Sequence, residues 1–177
     1  MGIEYRLTLA GAVPADEVAM RAMPDVADRP AGSPTLLSAD LYDSHGFFLT
    51  IVPRQRGSVA AEADDGMWTW DLAENVMVSF DMDKFDEVEQ SERALAAMLV
   101  VVGRVLAGGD EDAALTLNGD VLLLTRLAVS RRNTAVQCGG STTRPSATSS
   151  RLSRALLEAL APFRLTEEQG GGVKRGP

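Results

Sequence analysis

One compact group of titratable side chains in the sequence could support acid–base catalysis. Asp40, Asp43 and His45 lie within six residues of one another, and His45 is the single histidine of the chain. A histidine titrates near neutrality and can act as a general base. His45 precedes Gly46 in a predicted turn, however, and no motif marks a nucleophile for it to activate. A hydrolase or transferase would require these three groups to converge within hydrogen-bond reach, so an ordinary turn histidine is favoured.

The single cysteine, Cys138, excludes a disulfide framework. One cysteine and one histidine also leave almost no set of ligands for a Cys/His metal site. Cys138 lies in a polar C-terminal segment without a nearby histidine. An exposed and inert thiol is therefore favoured over a catalytic nucleophile.

The acidic segment at 81–92 shares three positions with a calcium-binding loop. Phe85 and Asp86 stand where such a loop requires an oxygen ligand and a glycine. Asp86 with Glu89 three residues later instead resembles a capping box, and acidic side chains favour the start of a helix. The segment therefore predicts a helix that begins at Asp86, and no metal site.

Charge divides the chain into an acidic part and a basic part. The 177 residues carry a net charge of −8, which disfavours a general nucleic-acid binder because phosphate contacts require clustered Lys and Arg. Residues 1–128 hold 22 acidic and 9 basic side chains, whereas residues 129–177 hold 3 and 8. We predict a domain at 1–128, followed by a low-complexity basic tail at 129–177 with one short helix at 148–161.

Hydrophobic periodicity predicts an α+β fold for the domain: an antiparallel sheet built from hairpins, with one long and one short helix packed on one face. Asn118-Gly119 is the strongest signal for a type I′ hairpin turn, and Gly108-Gly109 is predicted to stop the long helix. Residues 25–34, rich in Pro and Gly, are predicted to be loop. The predicted strands span 3–9, 36–42, 47–52, 67–72, 76–82, 114–117 and 121–127, and the helices span 14–23 and 86–107.

Two neighbouring features could bind a partner protein. Two tryptophans at a spacing of two share a strand face with Leu72, which is typical of a core but also of an interface anchor. Three acidic residues precede Gly66, which is typical of a solvated turn but also of a contact with a basic partner. The candidate partner-binding residues are Glu62, Asp64, Asp65, Trp68 and Trp70.

Three stretches of the chain resemble the Sit immunity proteins, which are linked to myxobacterial swarming inhibition. They are IEYRLTLAG at 3–11, LSADLY at 37–42 with Gly46-Phe47 beyond it, and LNGDVLLLTR at 117–126. The resemblance covers residues 3–127. It implies a protective partner of a polymorphic toxin, with no enzyme activity and no cofactor, and it assigns no binding residues.

Two functions follow as hypotheses. The first is a non-catalytic immunity protein that binds and neutralises a cognate protein toxin, and the acidic domain suits a basic toxin. The alternative is a small-ligand-binding α+β domain that uses a concave sheet face under the long helix, lined by inward polar groups. No segment is long and apolar enough to span a membrane, and the N-terminus lacks the pattern of a signal peptide, so a cytoplasmic location is expected.

Overall fold

The computed structural model describes residues 2–64, 66–82 and 88–127. The strands are β1 Ile3–Ala10, β2 Ala31–Ser33, β3 Leu36–Leu41, β4 Phe47–Ala63, β5 Gly66–Met82, β6 Ala113–Leu117 and β7 Val121–Arg126. The helices are α1 Ala15–Ala22, α2 Tyr42–His45 and α3 Val88–Ala107. Most strands come in antiparallel hairpins with a helix between successive hairpins, and the predicted α+β class is confirmed.

The strands form one sheet in the order β2-β3-β4-β5-β1-β6-β7. Every neighbouring pair in this order is antiparallel, as the hairpin pattern predicts. One further pairing is parallel, and it places Glu62 of β4 beside Val121 of β7. Because β4 and β7 are four places apart in the sheet, the sheet curls back on itself at this bridge.

The main hydrophobic core lies on one face of the sheet, under α1 and α3. Leu7 of β1 is fully buried there, and α3 contributes Met98 and Val102 at helical spacing. Phe47 and Phe80 meet edge to face in the same core, with ring centroids 5.4 Å apart. Both predicted helices therefore pack on one face of the sheet, as expected.

The turns agree with the sequence in one case and differ in two. Asn118 and Gly119 have φ values of 51° and 77°, which confirms the type I′ turn. The connection at 43–46 contains the single turn of α2, which Gly46 closes at a φ of 83°. The loop predicted at 25–34 contains β2, a three-residue edge strand whose one partner among the described strands is β3. An edge strand this short needs one partner, so its Gly and Pro neighbours do not prevent it.

Two predicted strands at 67–72 and 76–82 are one continuous strand, β5, and β4 extends well beyond its predicted end at residue 52. The polar residues of this region read as turns in the sequence, but the two strands hold each other in register along almost their whole length. The pairing of β4 with β3 ends at Ile51, which is opposite Leu37. Pro53 lies beyond this point, so its missing N–H removes no hydrogen bond to β3.

The outer half of the β4–β5 hairpin, residues 57–72, forms an arm that folds over the second face of the sheet. Arg56 at its base has a φ of 61°, an unusual value for a residue with a side chain. Leu72 and Met77 are an odd number of positions apart in β5, so in a regular strand their side chains would point to opposite faces. Both nevertheless line one cavity, so the strand rotates between them. The Glu62 N–H donates to the Asp120 carbonyl at 2.6 Å and ties the arm to the β6–β7 turn.

Charged side chains fix the end of α3 to α1 and to the β6–β7 hairpin. Arg21 of α1 pairs with Glu111 at 2.9 Å and with Glu17 at 2.5 Å. Arg126 of β7 donates to the carbonyl oxygens of Leu106 and Glu111, and its guanidinium lies 3.7 Å from the Glu111 carboxylate. Burial would lower the pKa of Arg21, but its hydrogen bonds to the two glutamates outweigh burial and raise the pKa above its ordinary value.

Helix α3 ends at Ala107, directly before Gly108, as predicted, and the glycine pair also permits close packing. Neither Gly108 nor Gly109 has a positive φ. A Cβ on Gly108 would lie 2.8 Å from Cδ of Arg21, and a Cβ on Gly109 would overlap the guanidinium of Arg21 and the carboxylate of Glu111. The pair therefore leaves room for the Arg21–Glu111 ion pair.

The remaining sequence predictions fall outside the described residues. The helix start at Asp86 is among them. Helical periodicity predicts that Val88 is one of the buried apolar positions of this helix, but Val88, where α3 is first described, is 74% exposed. The basic tail at 129–177, its helix at 148–161 and Cys138 also lie outside. These features stay predictions.

Candidate functional site

The three candidate acid–base side chains, Asp40, Asp43 and His45, do not form hydrogen bonds with one another in the structure. His45 shares a hydrogen bond between Nδ1 and the Ser44 hydroxyl at 2.8 Å, and its ring packs against Phe47 at 5.8 Å. The carboxylate of Asp40 instead accepts the backbone N–H of Tyr42. Within the described residues, neither Asp40 nor Asp43 forms a hydrogen bond with His45. A hydroxyl, and not a carboxylate, is therefore the side-chain partner of the imidazole.

The calcium-like segment at 81–92 is only partly described, since residues 83–87 lie outside the described ranges. Over residues 2–64, 66–82 and 88–127, no cluster of three or more His, Cys, Asp or Glu side chains could hold a metal ion. Asp81 itself lies opposite Glu4 in the β1–β5 ladder. Asp81 is therefore a residue of a regular β-strand and not of a loop.

Asp81 experiences two opposing neighbours. Burial raises the pKa of its carboxyl group, the charge of Glu4 raises it further, and Arg6 lowers it in part, so the pKa lies above the ordinary value of 3.8. The folded protein therefore holds this proton more tightly than the unfolded chain does. Stability contributed by the protonated group is lost as the pH rises from 3.8 through the raised pKa.

The Asp81→Asn variant is expected to lose less stability than the parent over that rise in pH. Removing the ionisable group removes the unfavourable charge beside Glu4, so the variant should be at least as stable as the parent at pH 7. Urea unfolding at several pH values between about 3.5 and 7 measures the difference. Parallel pH profiles for the two proteins would contradict the assignment of this dependence to Asp81.

The two candidate tryptophans lie together on the inner face of the arm. Their ring centroids are 5.9 Å apart, and both side chains are half-buried. Trp68 is paired with Ala61 across the hairpin, and Ala61 is 1% exposed, so this face of the arm points toward the protein. Leu72 lies on the same face and is also buried. The tryptophans therefore cover the second face of the sheet in part.

The candidate acidic residues lie elsewhere on the arm. Glu62 is exposed on the outer face, since it is paired with the exposed Met67, and Asp64 is exposed in the hairpin turn. Asp65 lies outside the described residues. The structure thus separates the acidic residues from the tryptophans, because successive residues of a strand point to opposite faces.

An exposed patch at the end of the arm combines apolar and acidic side chains. Met67, Glu62 and Val121 lie side by side across β5, β4 and β7, and Met67 and Val121 are 71% and 42% exposed. Asp120 lies beside them, because its carbonyl accepts the Glu62 N–H, and it is exposed. Sequence reasoning missed Asp120 and Val121, since only the β4–β7 bridge brings them here. We call this patch the arm tip; it consists of Glu62, Asp64, Met67, Asp120 and Val121.

A half-open cavity of about 300 Å³ lies between the arm and the second face of the sheet. Three of its lining side chains are polar and more than nine-tenths buried: Thr8, Asn75 and Thr116. Arg6 and Arg54 line it as well. The polar concavity is thus on the face opposite α1 and α3, whereas the ligand-binding hypothesis expected it under the long helix.

These features define an α+β domain with one face covered by helices and the other covered in part by its own hairpin arm. The chain belongs to the SitI3-like family, whose family model matches residues 3–131. The resemblance to Sit immunity proteins is therefore confirmed. No curated protein and no solved structure matches the chain. Among the described residues, no helix combines the length and the apolar character needed to cross a membrane.

Proposed function

We propose that this chain is a non-catalytic immunity protein that neutralises a cognate protein toxin by binding it. Its membership of the SitI3-like family, over residues 3–131, is the observation that carries the proposal. The imidazole of His45 hydrogen-bonds to the Ser44 hydroxyl, but no carboxylate among the described residues hydrogen-bonds to it, so the third group that orients the base in a catalytic triad is not supplied. No cofactor takes part in the proposed function.

The arm tip is the surface that we assign to the toxin. Its exposed Met67 and Val121 flank Glu62, and the exposed residues Asp64 and Asp120 follow Glu62 and precede Val121 in the chain. Protein interfaces commonly place apolar contacts at the centre and charged groups at the rim. The composition of this patch therefore suits a partner with a small apolar feature inside a basic surface.

The charge of the whole domain supports the same type of partner. Residues 1–128 carry an excess of 13 negative charges. A field of this sign increases the rate at which a basic protein encounters the domain, and salt screens it. The complex is therefore proposed to form faster at low than at high ionic strength.

Trp68 and Trp70 receive a different role in this proposal. They are half-buried on the inner face of the arm and contact each other, away from the exposed side of Glu62. We assign them to support of the arm against the sheet, and we place Glu62 and Asp64 in the contact with the toxin. Aromatic pairs of this kind stabilise a sheet face beyond the area that they bury.

The test is the association of the full chain with the protein encoded by the neighbouring gene, together with survival of cells that express both. The double variant Glu62→Lys/Asp120→Lys should lower the association rate about tenfold or more and abolish protection, because it reverses two charges of the arm tip. The double variant Glu89→Lys/Glu92→Lys, which makes the same change of charge on exposed positions of α3, is the matched control.

The outcomes separate the two parts of the proposal. A salt-sensitive one-to-one complex that protects cells, and that only the arm-tip variant weakens, would support both parts. Equal effects of the two double variants would overturn the arm tip as the contact surface. Absence of a complex together with absence of protection would overturn the immunity function for this pair of proteins.

A further inference from the structure

We propose that the cavity between the arm and the sheet binds the carboxylate group of a small organic monoanion. The inference rests on the buried polar side chains of the cavity and on the charge of Arg54, which is one of its lining residues. It does not depend on the immunity function, because the arm tip lies on the outer face of the arm and the cavity under its inner face.

The cavity holds polar groups whose hydrogen-bonding capacity is free. Asn75 is 5% exposed, and its side-chain amide forms no hydrogen bond with any other described residue. None of the fully buried side-chain nitrogen and oxygen atoms among the described residues lacks a partner. The Asn75 amide therefore keeps some accessible surface, and its Nδ2 lies next to Gly57, which lines the same cavity. Buried amides are nearly always hydrogen-bonded, so this one is suited to a ligand oxygen.

The hydroxyls of the cavity add to this amide. Thr8 is 5% exposed and lines the same wall, and Thr116 beside it is 2% exposed. Thr116 donates only a long hydrogen bond, 3.5 Å, to the Arg6 carbonyl. Amide and hydroxyl donors on one concave wall are the groups that hold carboxylate oxygens.

The charge at the cavity selects a monoanion. Arg6 is already satisfied, since its Nη2 lies 2.8 Å from each carboxylate oxygen of Glu4. Arg54 lines the same cavity and forms no ion pair with a described residue. One positive charge is therefore unbalanced, which matches a carboxylate better than a phosphate dianion. The planar guanidinium of arginine also fits a carboxylate with two parallel hydrogen bonds.

The remaining walls limit the size and polarity of the ligand. Gly57 keeps the cavity open beside the amide, since a Cβ there would lie 3.2 Å from Nδ2 of Asn75. Val59, Leu72 and Met77 supply apolar surface. A volume of about 300 Å³ is at the lower end for small-molecule sites. We therefore assign the site to a carboxylate with a short apolar body.

Calorimetric and NMR titration of the full chain tests this site. The probes are butyrate, hexanoate and benzoate, with the corresponding primary amides and inorganic phosphate as controls. We expect saturable binding of at least one carboxylate, with the matching amide and phosphate at least tenfold weaker, since the interaction of a charged group with Arg54 is lost or mismatched.

Two variants locate the binding within the cavity. Arg54→Gln and Asn75→Ala should each weaken carboxylate binding about tenfold or more. Arg54 is exposed, so its substitution leaves folding intact even where that of Asn75 does not. Arg93→Gln, an equal change of charge at an exposed position of α3, should leave binding unchanged. The Glu62→Lys/Asp120→Lys variant should also bind the carboxylate normally, which separates this site from the arm tip.

Three results would each overturn the inference. The first is no binding of any of the carboxylates at millimolar concentration. The second is binding of the amide or of phosphate as tight as that of the carboxylate, since the site would then show no preference for a carboxylate group. The third is binding that Arg54→Gln and Arg93→Gln affect equally, since the charge would then act from elsewhere on the protein.

Discussion

Replacing Phe80 with alanine is expected to lower the free energy of unfolding by about 3–5 kcal/mol, a large part of the total stability of a small domain. Phe80 lies in β5 with a strand on each side, opposite Tyr5 of β1 and Leu49 of β4. Its side chain is fully buried and meets Phe47 edge to face at 5.4 Å. Alanine would therefore remove an aromatic contact and leave a cavity at the centre of the main core. Urea unfolding followed by tryptophan fluorescence measures the change.

The matched control is Phe48→Ala, which removes the same side chain from the second face of the sheet. Phe48 is half-buried and stacks on Tyr42 at 6.5 Å. Because it loses less contact and leaves no closed cavity, its cost should stay below about 2 kcal/mol. Equal costs for the two substitutions would contradict the assignment of the main core to the face under α1 and α3.

Strong periodicity predicted the elements that build this core. In β1, apolar residues alternate with polar ones, and Leu7 and Leu9 are fully buried as that pattern requires. In α3, the buried side chains recur at helical spacing. The Asn118-Gly119 turn was predictable for a different reason, since both positions need a positive φ that these residue types tolerate. Local chemistry determined each of these features.

The β4 half of the arm could not be predicted, because long-range pairing, and not local pattern, holds it. Residues 57–63 are mostly small or polar, and they stay extended because each is paired with β5. Small residues carry little periodic signal, so this stretch of the chain reads as a turn or loop. The unusual φ of Arg56 reflects the same tertiary constraint. The extended conformation of the arm thus depends on the hydrogen-bonded pairing of β4 with β5.

The proposed arm tip differs from the partner-binding residues predicted from the sequence for a related reason. Glu62 and Trp68 are close in sequence, but the register pairs Glu62 with Met67 and Trp68 with Ala61, and this places the two on opposite faces. Asp120 joins Glu62 through a hydrogen bond between strands far apart in the sequence. The side-chain types suggested a contact through acidic residues. The residues that lie beside Glu62, however, depend on how β4 pairs with β5 and β7, and this register cannot be read from the sequence.

The arm therefore serves two candidate surfaces at once. Its outer face carries the arm tip, and its inner face closes the cavity against β1 and β6. A substitution that displaces the arm would alter both, so the decisive variants are those that change one face only. Glu62→Lys acts on the outer face and Arg54→Gln on the cavity, and neither side chain is buried.

The second large effect is expected at Glu111, where the Glu111→Gln variant should lower the free energy of unfolding by about 2–4 kcal/mol. The carboxylate of Glu111 accepts hydrogen bonds from Arg21 at 2.9 Å, and the guanidinium of Arg126 lies 3.7 Å away. Only 15% of the Glu111 side chain and 13% of the Arg21 side chain are exposed. The neutral amide would leave a largely buried arginine with one carboxylate partner, and removing one member of a buried ion pair costs more than the pair contributes.

The control for this effect is Glu89→Gln, which breaks the exposed pair with Arg93 on α3. That pair is 3.8 Å apart with 86% and 79% of its side chains exposed, so its loss should change stability very little. Gly109→Ala tests the same network independently, because its Cβ would overlap both Arg21 and Glu111, and it should destabilise the protein as Glu111→Gln does. Equal stability of the Glu111 and Glu89 variants would show that hydrophobic packing, without the ion pairs, holds α1 against the end of α3.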